Sequence, residues 1–384
     1  MSSGGFSQTI IGLRTKGMPS SLVRSVLSPG IVRLFLALVV VVHHSLPFRA
    51  GSWAVDVFFI LSGYWITRMW SGHYSRTKTP YFTFVVSRWW RLAPVFLICA
   101  GFGVGSAYIL RSAADLAPAW NLSWWLRQTL IVGSAGAGRV LPPTWSLDVE
   151  MQFYLIAPLL VWAFARFGAF WRWLVVAALI TTLACLLATG TYPESASFGL
   201  FSGFFLAGIA LAMQKWAPNN RLVVGALVLF CAGTLILIAI PQTRAGIWIT
   251  GKEGALGVGR IASIVAPAWW VAGGALVIPF LARSLAIRSS QLDRTLGELA
   301  YPLYLFHWIP REWYYYFCDS NPPATIRFGL LLANLAVAIA GAVLILFMID
   351  RPLERARRGW VASREIEMQP PDRSEAQISV GDVS

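Results

Sequence analysis

Apolar stretches of about 18–25 residues recur along the chain, parted by short polar segments. They run over about 31–48, 53–70, 92–110, 147–165, 171–190, 196–214, 221–240, 261–282, 297–317 and 325–349. Each reaches or approaches the roughly 20 residues that cross a hydrocarbon core as a helix. The breaks carry helix-stopping residues: Pro47, Pro80, Pro142-Pro143, Pro193, Pro218, Pro241 and Pro322-Pro323. The pattern predicts an all-α fold, a polytopic integral membrane helix bundle of about ten transmembrane helices.

Composition agrees. Of 384 residues, 57% are hydrophobic and 12% charged, against about 25% charged in soluble domains. A soluble protein of this size would need more polar surface. The 19 Trp suit a protein with two membrane interfaces. The net charge is +14. Nucleic acid is not implied, because the basic residues sit in short segments between apolar runs and form no basic face on a soluble domain. They follow the positive-inside rule. With a cytosolic amino terminus, the inner segments hold 22 of the 31 Lys and Arg. This predicts an even number of spans with both termini inside.

Residues 1–30 read as a cytosolic, disordered arm, Gly/Ser-rich with Arg14, Lys16 and Arg24. The run 31–48 has the length of a signal-peptide core, but the long arm before it and the lack of a small-residue cleavage site argue against that reading. Residues 31–350 form the membrane domain. Residues 351–384 are a basic then disordered cytosolic tail. Cys99, Cys185, Cys231 and Cys318 have no redox or metal spacing, and no metal is expected.

Ionisable groups inside membrane spans are costly and therefore informative. Arg33 and His44 lie eleven residues apart in the first span. That is about 16 Å along a helix and nearly the same face. His44 is a candidate general base, or else a satisfied histidine at an interface. His43 points to another face and reads as structural. Asp56 opens the second span, either to orient a histidine or to cap a helix. Arg88 and Arg91, at i and i+3, suit a phosphate or ordinary positive-inside anchoring. Trp145, Ser146 and Glu150 stand at the start of the fourth long run, where an acid also complements the helix dipole. Tyr301, Tyr304 and His307 form a late stripe that is either core or site. No phosphate-binding glycine loop, nucleophile elbow or metal cluster is present. On composition alone, a transporter or flippase for a lipid-linked sugar is an equal candidate.

Together these segments resemble the acyltransferase 3 family of multi-span membrane O-acyltransferases. Arg33 and His44 match its Arg-ten-residues-His pattern. Ala54 to Gly63, Arg88-x-x-Arg91, Trp145 to Tyr154 and Leu303 to His307 match its later segments in order. Ala300 and Pro302 stand where the family often has Ser. Tyr64-Trp65 replaces its usual Phe and aliphatic pair. The resemblance implies acyl transfer, most often of acetyl, from acetyl-CoA or another acyl-CoA to a hydroxyl of a carbohydrate or glycolipid acceptor at the lipid bilayer. It implies His44 as the general base or the acyl-accepting residue; Asp56 and Glu150 are further catalytic candidates on their own polarity. Arg33, Arg88 and Arg91 are implied for the donor or for organising the site, in a bacterial plasma (inner) membrane; Trp145, Ser146, Tyr304 and His307 are candidates for organising it.

Overall fold

The computed structural model describes residues 27–45, 51–110, 121–133, 141–167, 170–189, 197–214, 216–239, 268–269, 271–319 and 322–366. Most of the expected amino-terminal arm and the end of the tail lie outside them. The described residues are mainly helical: α1 (Pro29–Ser45), α2 (Ser52–Gly72), α3 (Pro80–Leu110), α4 (Leu122–Leu130), α5 (Trp145–Phe167), α6 (Trp171–Thr189), α7 (Phe198–Met213), α8 (Asn220–Ala239), α9 (Ile278–Leu285), α10 (Gln291–Phe306), α11 (Trp308–Cys318), α12 (Ala324–Ile345) and α13 (Arg351–Ala362). Three of the described helical stretches are long and apolar enough to cross a bilayer: α3, α5 with the turn before it, and the continuous stretch that α12 opens. Outward faces are greasy. Phe102 and Ile109 on α3, Leu159 and Trp162 on α5, Val228 and Leu235 on α8 and Phe328 and Leu344 on α12 are each more than half exposed. A soluble monomer rarely shows so much contiguous apolar surface.

Two close approaches set the frame. At the α2/α7 crossing, a Cβ on Gly63 would lie 2.2 Å from the Phe205 carbonyl oxygen, and one on Gly208 2.1 Å from that of Ile60. Only glycine lets these backbones meet, the small-residue packing common between helices in lipid. At the α1/α10 crossing, Gly30 faces Gly297 and Asp293 in the same way. Asp293 also caps α1, accepting from the Ser28 hydroxyl at 2.5 Å and the Ile31 amide at 2.9 Å. Burial would push this carboxyl up, but those bonds hold it below its ordinary range.

Two expectations are refined. The run 297–317 is broken, with α10 ending at Phe306 and α11 starting at Trp308. Pro310 has no N–H for the Phe306 carbonyl and falls in the first turn of α11, where proline is tolerated. The tail does not leave the bundle at once. A π turn over Leu346–Asp350 leads into α13, an amphipathic helix. Its end pairs with the loop after α2: Lys78 N–H donates to the Arg364 carbonyl at 2.9 Å, and Ile366 N–H to that of Arg76 at 3.2 Å.

Candidate functional site

Helices α1, α2, α3, α5 and α10 enclose a cavity of about 160 Å³. Its wall carries Arg33, Ser62, Arg88, Arg91, Ser146, Glu150, Tyr154, Tyr301 and Tyr304 among apolar side chains. Six of the ten site residues expected from sequence thus face one space.

One end is cationic. Arg91 Nη1 pairs with the buried Asp350 carboxylate from the π turn, and its guanidinium lies 5.2 Å from the Tyr301 ring centroid. Tyr301 donates to the Leu92 carbonyl at 2.7 Å. Arg88, nearly fully buried, donates from Nη2 to the Tyr74 hydroxyl at 2.6 Å. Its Nε has no partner. Tyr74 lies in the loop between α2 and α3. Burial raises its phenol, but Arg88, Ser87 and Arg357 outweigh that and draw it below the usual tyrosine range.

Arg33 and Glu150 stand further along. Glu150 Oε1 accepts from Ser62 at 2.7 Å and from Tyr154 at 2.5 Å. Arg33 has like-charged Arg91 and the opposite charge of Glu150 in its field. It makes no hydrogen bond or ion pair among the described residues, and the cavity is where its donors can be used.

At the other end Tyr304 and Ser146 close the space. The Tyr304 hydroxyl lies 2.7 Å from the Pro143 carbonyl and 2.7 Å from Ser146 Oγ. Ser146 Oγ also lies 3.3 Å from that carbonyl, so either hydroxyl can donate to the other. Behind Tyr304 lies His307, with ring centroids 6.2 Å apart. The His307 ring stacks on His44 at 5.4 Å, and His44 meets Trp308 edge-on at 5.2 Å. His307 Nδ1 faces the carbonyls of Tyr304, at 2.8 Å, and Leu303, at 3.2 Å. Both are acceptors, so Nδ1 carries the proton. Nε2 is then a bare lone pair in the neutral ring, buried and without a partner. The His44 carbonyl is held by Arg311 Nε at 2.7 Å.

His44 therefore lies outside the cavity, beyond Tyr304 and His307, while its stripe partner Arg33 lines it. His43 is structural: its Nδ1 accepts from the Gly51 amide at 3.0 Å. Asp56 is fully buried beside Gly274 and does not line the cavity. Trp145 packs on Phe201 and Phe59, at 5.2 and 6.2 Å. The polar start of α5 is partly structural. Asp148 accepts from the Gly133 amide and from Gln152, and Gln152 accepts from the Phe198 amide at the start of α7. Sequence reasoning missed Tyr74 and Arg357, which lie in segments that read as loop and tail, and Asp350, which falls just past the last apolar run.

The sequence model of a family described as an acyltransferase domain matches residues 27–348. Acyltransferase MdmB of Streptomyces mycarofaciens is 26% identical over 350 residues, covering 82% of this chain and 84% of its own. Peptidoglycan O-acetyltransferase OatA of Listeria monocytogenes is 28% identical over 309 residues, 71% of this chain and 47% of its own. The chain thus spans about half of that relative. O-acetyltransferase OatA of Staphylococcus aureus is 31% identical over 147 residues, 35% of this chain and 24% of its own. No solved structure matches.

Proposed function

The chain belongs to this acyltransferase family and is an O-acyltransferase; from that premise we propose that it moves an acyl group, acetyl foremost, from an acyl-CoA to a hydroxyl of a sugar-containing acceptor. The acceptor class is a surface polysaccharide, lipid-linked glycan or lipo-oligosaccharide. The protein is a multi-pass protein of a bacterial plasma membrane, with about ten spans and both termini in the cytosol. Membership in the family favours this over a transporter.

The observation that carries the reading is the polarity of the cavity. Three arginines stand along one part of it and a histidine pair lies past the opposite end. An acyl-CoA has an anionic head and a long thin arm. The head suits Arg88 and Arg91, because guanidinium forks match phosphate oxygens. The Lys and Arg distribution puts this end in the cytosol, where acyl-CoA is made. Arg33, in the same wall, meets the inner end of the anionic head, and the arm then brings the thioester towards Ser146 and Tyr304. The acceptor hydroxyl approaches from the histidine side. His44 takes its proton as oxygen attacks the thioester carbonyl carbon; the carbon–sulfur bond breaks and the CoA thiolate leaves, to be protonated. His307, with its free Nε2 lone pair, is the second candidate for the base. Ser146 and Tyr304 are the hydroxyl donors nearest the thioester and suited to its developing oxyanion.

Binding of acetyl-CoA to the detergent-solubilised protein tests the donor end. A hydrogen bond to a charged group contributes about 1.5–3 kcal/mol, so Arg88→Ala and Arg91→Ala should each weaken binding by roughly 10- to 150-fold. Normal binding in both variants would remove the donor-head assignment.

A further inference from the structure

Arg357 lies on α13, beyond the last long apolar stretch, yet it is almost completely buried. Its Nε and Nη2 grip both oxygens of Glu354, at 2.8 and 2.6 Å. Its Nη1 donates to the Tyr74 hydroxyl at 2.9 Å and also bonds Ser87 Oγ. The same Tyr74 oxygen accepts from Arg88 at 2.6 Å. Guanidinium groups only donate, so Tyr74 accepts from two arginines and makes a third hydrogen bond with Ser87, 2.7 Å away. A phenol in this state has every hydrogen-bonding position filled. Its ring packs against buried Phe84, with centroids 5.4 Å apart. The loop that carries Tyr74 is tied to the far end of α13 by the Lys78–Arg364 and Arg76–Ile366 bonds and by His73 with Glu365 at 2.5 Å.

We propose that Arg357 is a positioning residue for Arg88, acting through the shared Tyr74 hydroxyl, so that the helix after the bundle sets the geometry of the donor site. The inference rests on the reading of Arg88 as a donor-binding group. Tyr74 occupies one end of the Arg88 fork. The unpartnered Arg88 Nε is left for an anionic ligand. Without Arg357, the Tyr74 oxygen loses one of its two donors and the loop loses a tie to α13. The Arg88 side chain then samples other orientations, and the cost falls on donor capture rather than on the chemical step.

The test is steady-state acyl transfer by the purified full-length protein with labelled acetyl-CoA, measured in Arg88→Ala, Arg357→Ala, Arg357→Lys, Tyr74→Phe and the Arg88→Ala/Arg357→Ala pair. Arg357→Ala and Tyr74→Phe should raise the donor KM about tenfold and leave kcat within about twofold, with Arg357→Lys partly restoring KM. In the Arg88→Ala background, Arg357→Ala should add nothing, since its effect passes through Arg88. The inference is overturned if Arg357→Ala leaves KM unchanged while Arg88→Ala raises it, or if the two effects multiply fully in the double variant. If Arg88→Ala itself leaves KM unchanged, the donor reading falls instead. Should Arg357→Ala fail to fold, Tyr74→Phe, which removes a single oxygen, decides by the same KM criterion.

Discussion

Replacing Arg33 with methionine separates ligand binding from stability better than any other change in the cavity. The Arg33 guanidinium makes no hydrogen bond or ion pair among the described residues, and Arg91 repels it while Glu150 attracts it. Methionine keeps most of the side-chain volume and removes the charge without stranding a partner. The change in stability should therefore stay within about 1 kcal/mol, in the range of substitutions that break no specific feature. Donor affinity should behave differently. A ligand anion about 4 Å from the guanidinium gains up to about 4 kcal/mol at an effective dielectric of 20. Desolvation reduces that towards the 1.5–3 kcal/mol of a charged hydrogen bond. A net loss of about 2 kcal/mol is close to a 30-fold rise in Kd. Arg91→Met is the contrast, because it leaves the buried Asp350 carboxylate unpaired and should cost about 3–5 kcal/mol of stability. The assay is paired: acetyl-CoA binding by calorimetry, and thermal unfolding of the same samples. Arg33→Met that binds donor like the parent, or that loses several kcal/mol of stability with affinity intact, would refute the reasoning.

Other outcomes follow from the same geometry. Gly208→Val places a side chain where the Ile60 carbonyl oxygen lies 2.1 Å from a Cβ. It should cost at least the 1–3 kcal/mol of ordinary overpacking, read as a lower melting temperature, whereas Gly225→Ala, in open space, should not. Asp293 has a lowered pKa in the fold. Its contribution is fully present above its unfolded pKa of about 3.9 and is lost as pH falls through the folded value. Melting temperature should drop as pH falls below about 4, and Asp293→Asn should flatten that part of the profile. Tyr304→Phe deletes the hydroxyl that closes the cavity against Ser146 and Pro143. It should lower kcat at least tenfold with donor Kd nearly unchanged, as expected for a group used in the transition state; a pure KM effect would contradict that role.

The helical class and the polar residues of the site were legible in the sequence because lipid tolerates few exceptions. A helix satisfies its own backbone, so apolar length alone marks where helices lie, and each ionisable group stands out against them. The stripe logic for Arg33 and His44 was sound as helix geometry but could not say where the cavity ends. That depends on Tyr304, which α10 brings between the cavity and the histidines. Asp56 and Trp145 sit in segments as suggestive as that of Glu150. What parts them is the rotation of α2 and α5, which comes from the Gly63/Gly208 crossing and the packing of Phe59, Phe201 and Phe205. Tyr74, Asp350 and Arg357 were invisible for a different reason. Their importance comes from contacts such as Arg357 to Ser87, 270 residues apart in the chain. Periodicity within one helix carries no trace of such contacts.

Labelled acetyl-CoA, the purified protein and a scan of sugar acceptors provide the most direct test of acyl transfer through the histidine end. The account predicts release of free CoA thiol with label appearing on an acceptor hydroxyl. His44→Ala should abolish both while acetyl-CoA binding persists. Undiminished transfer in His44→Ala, with transfer lost in His307→Ala, would move the base to His307. Undiminished transfer in both variants would contradict the account.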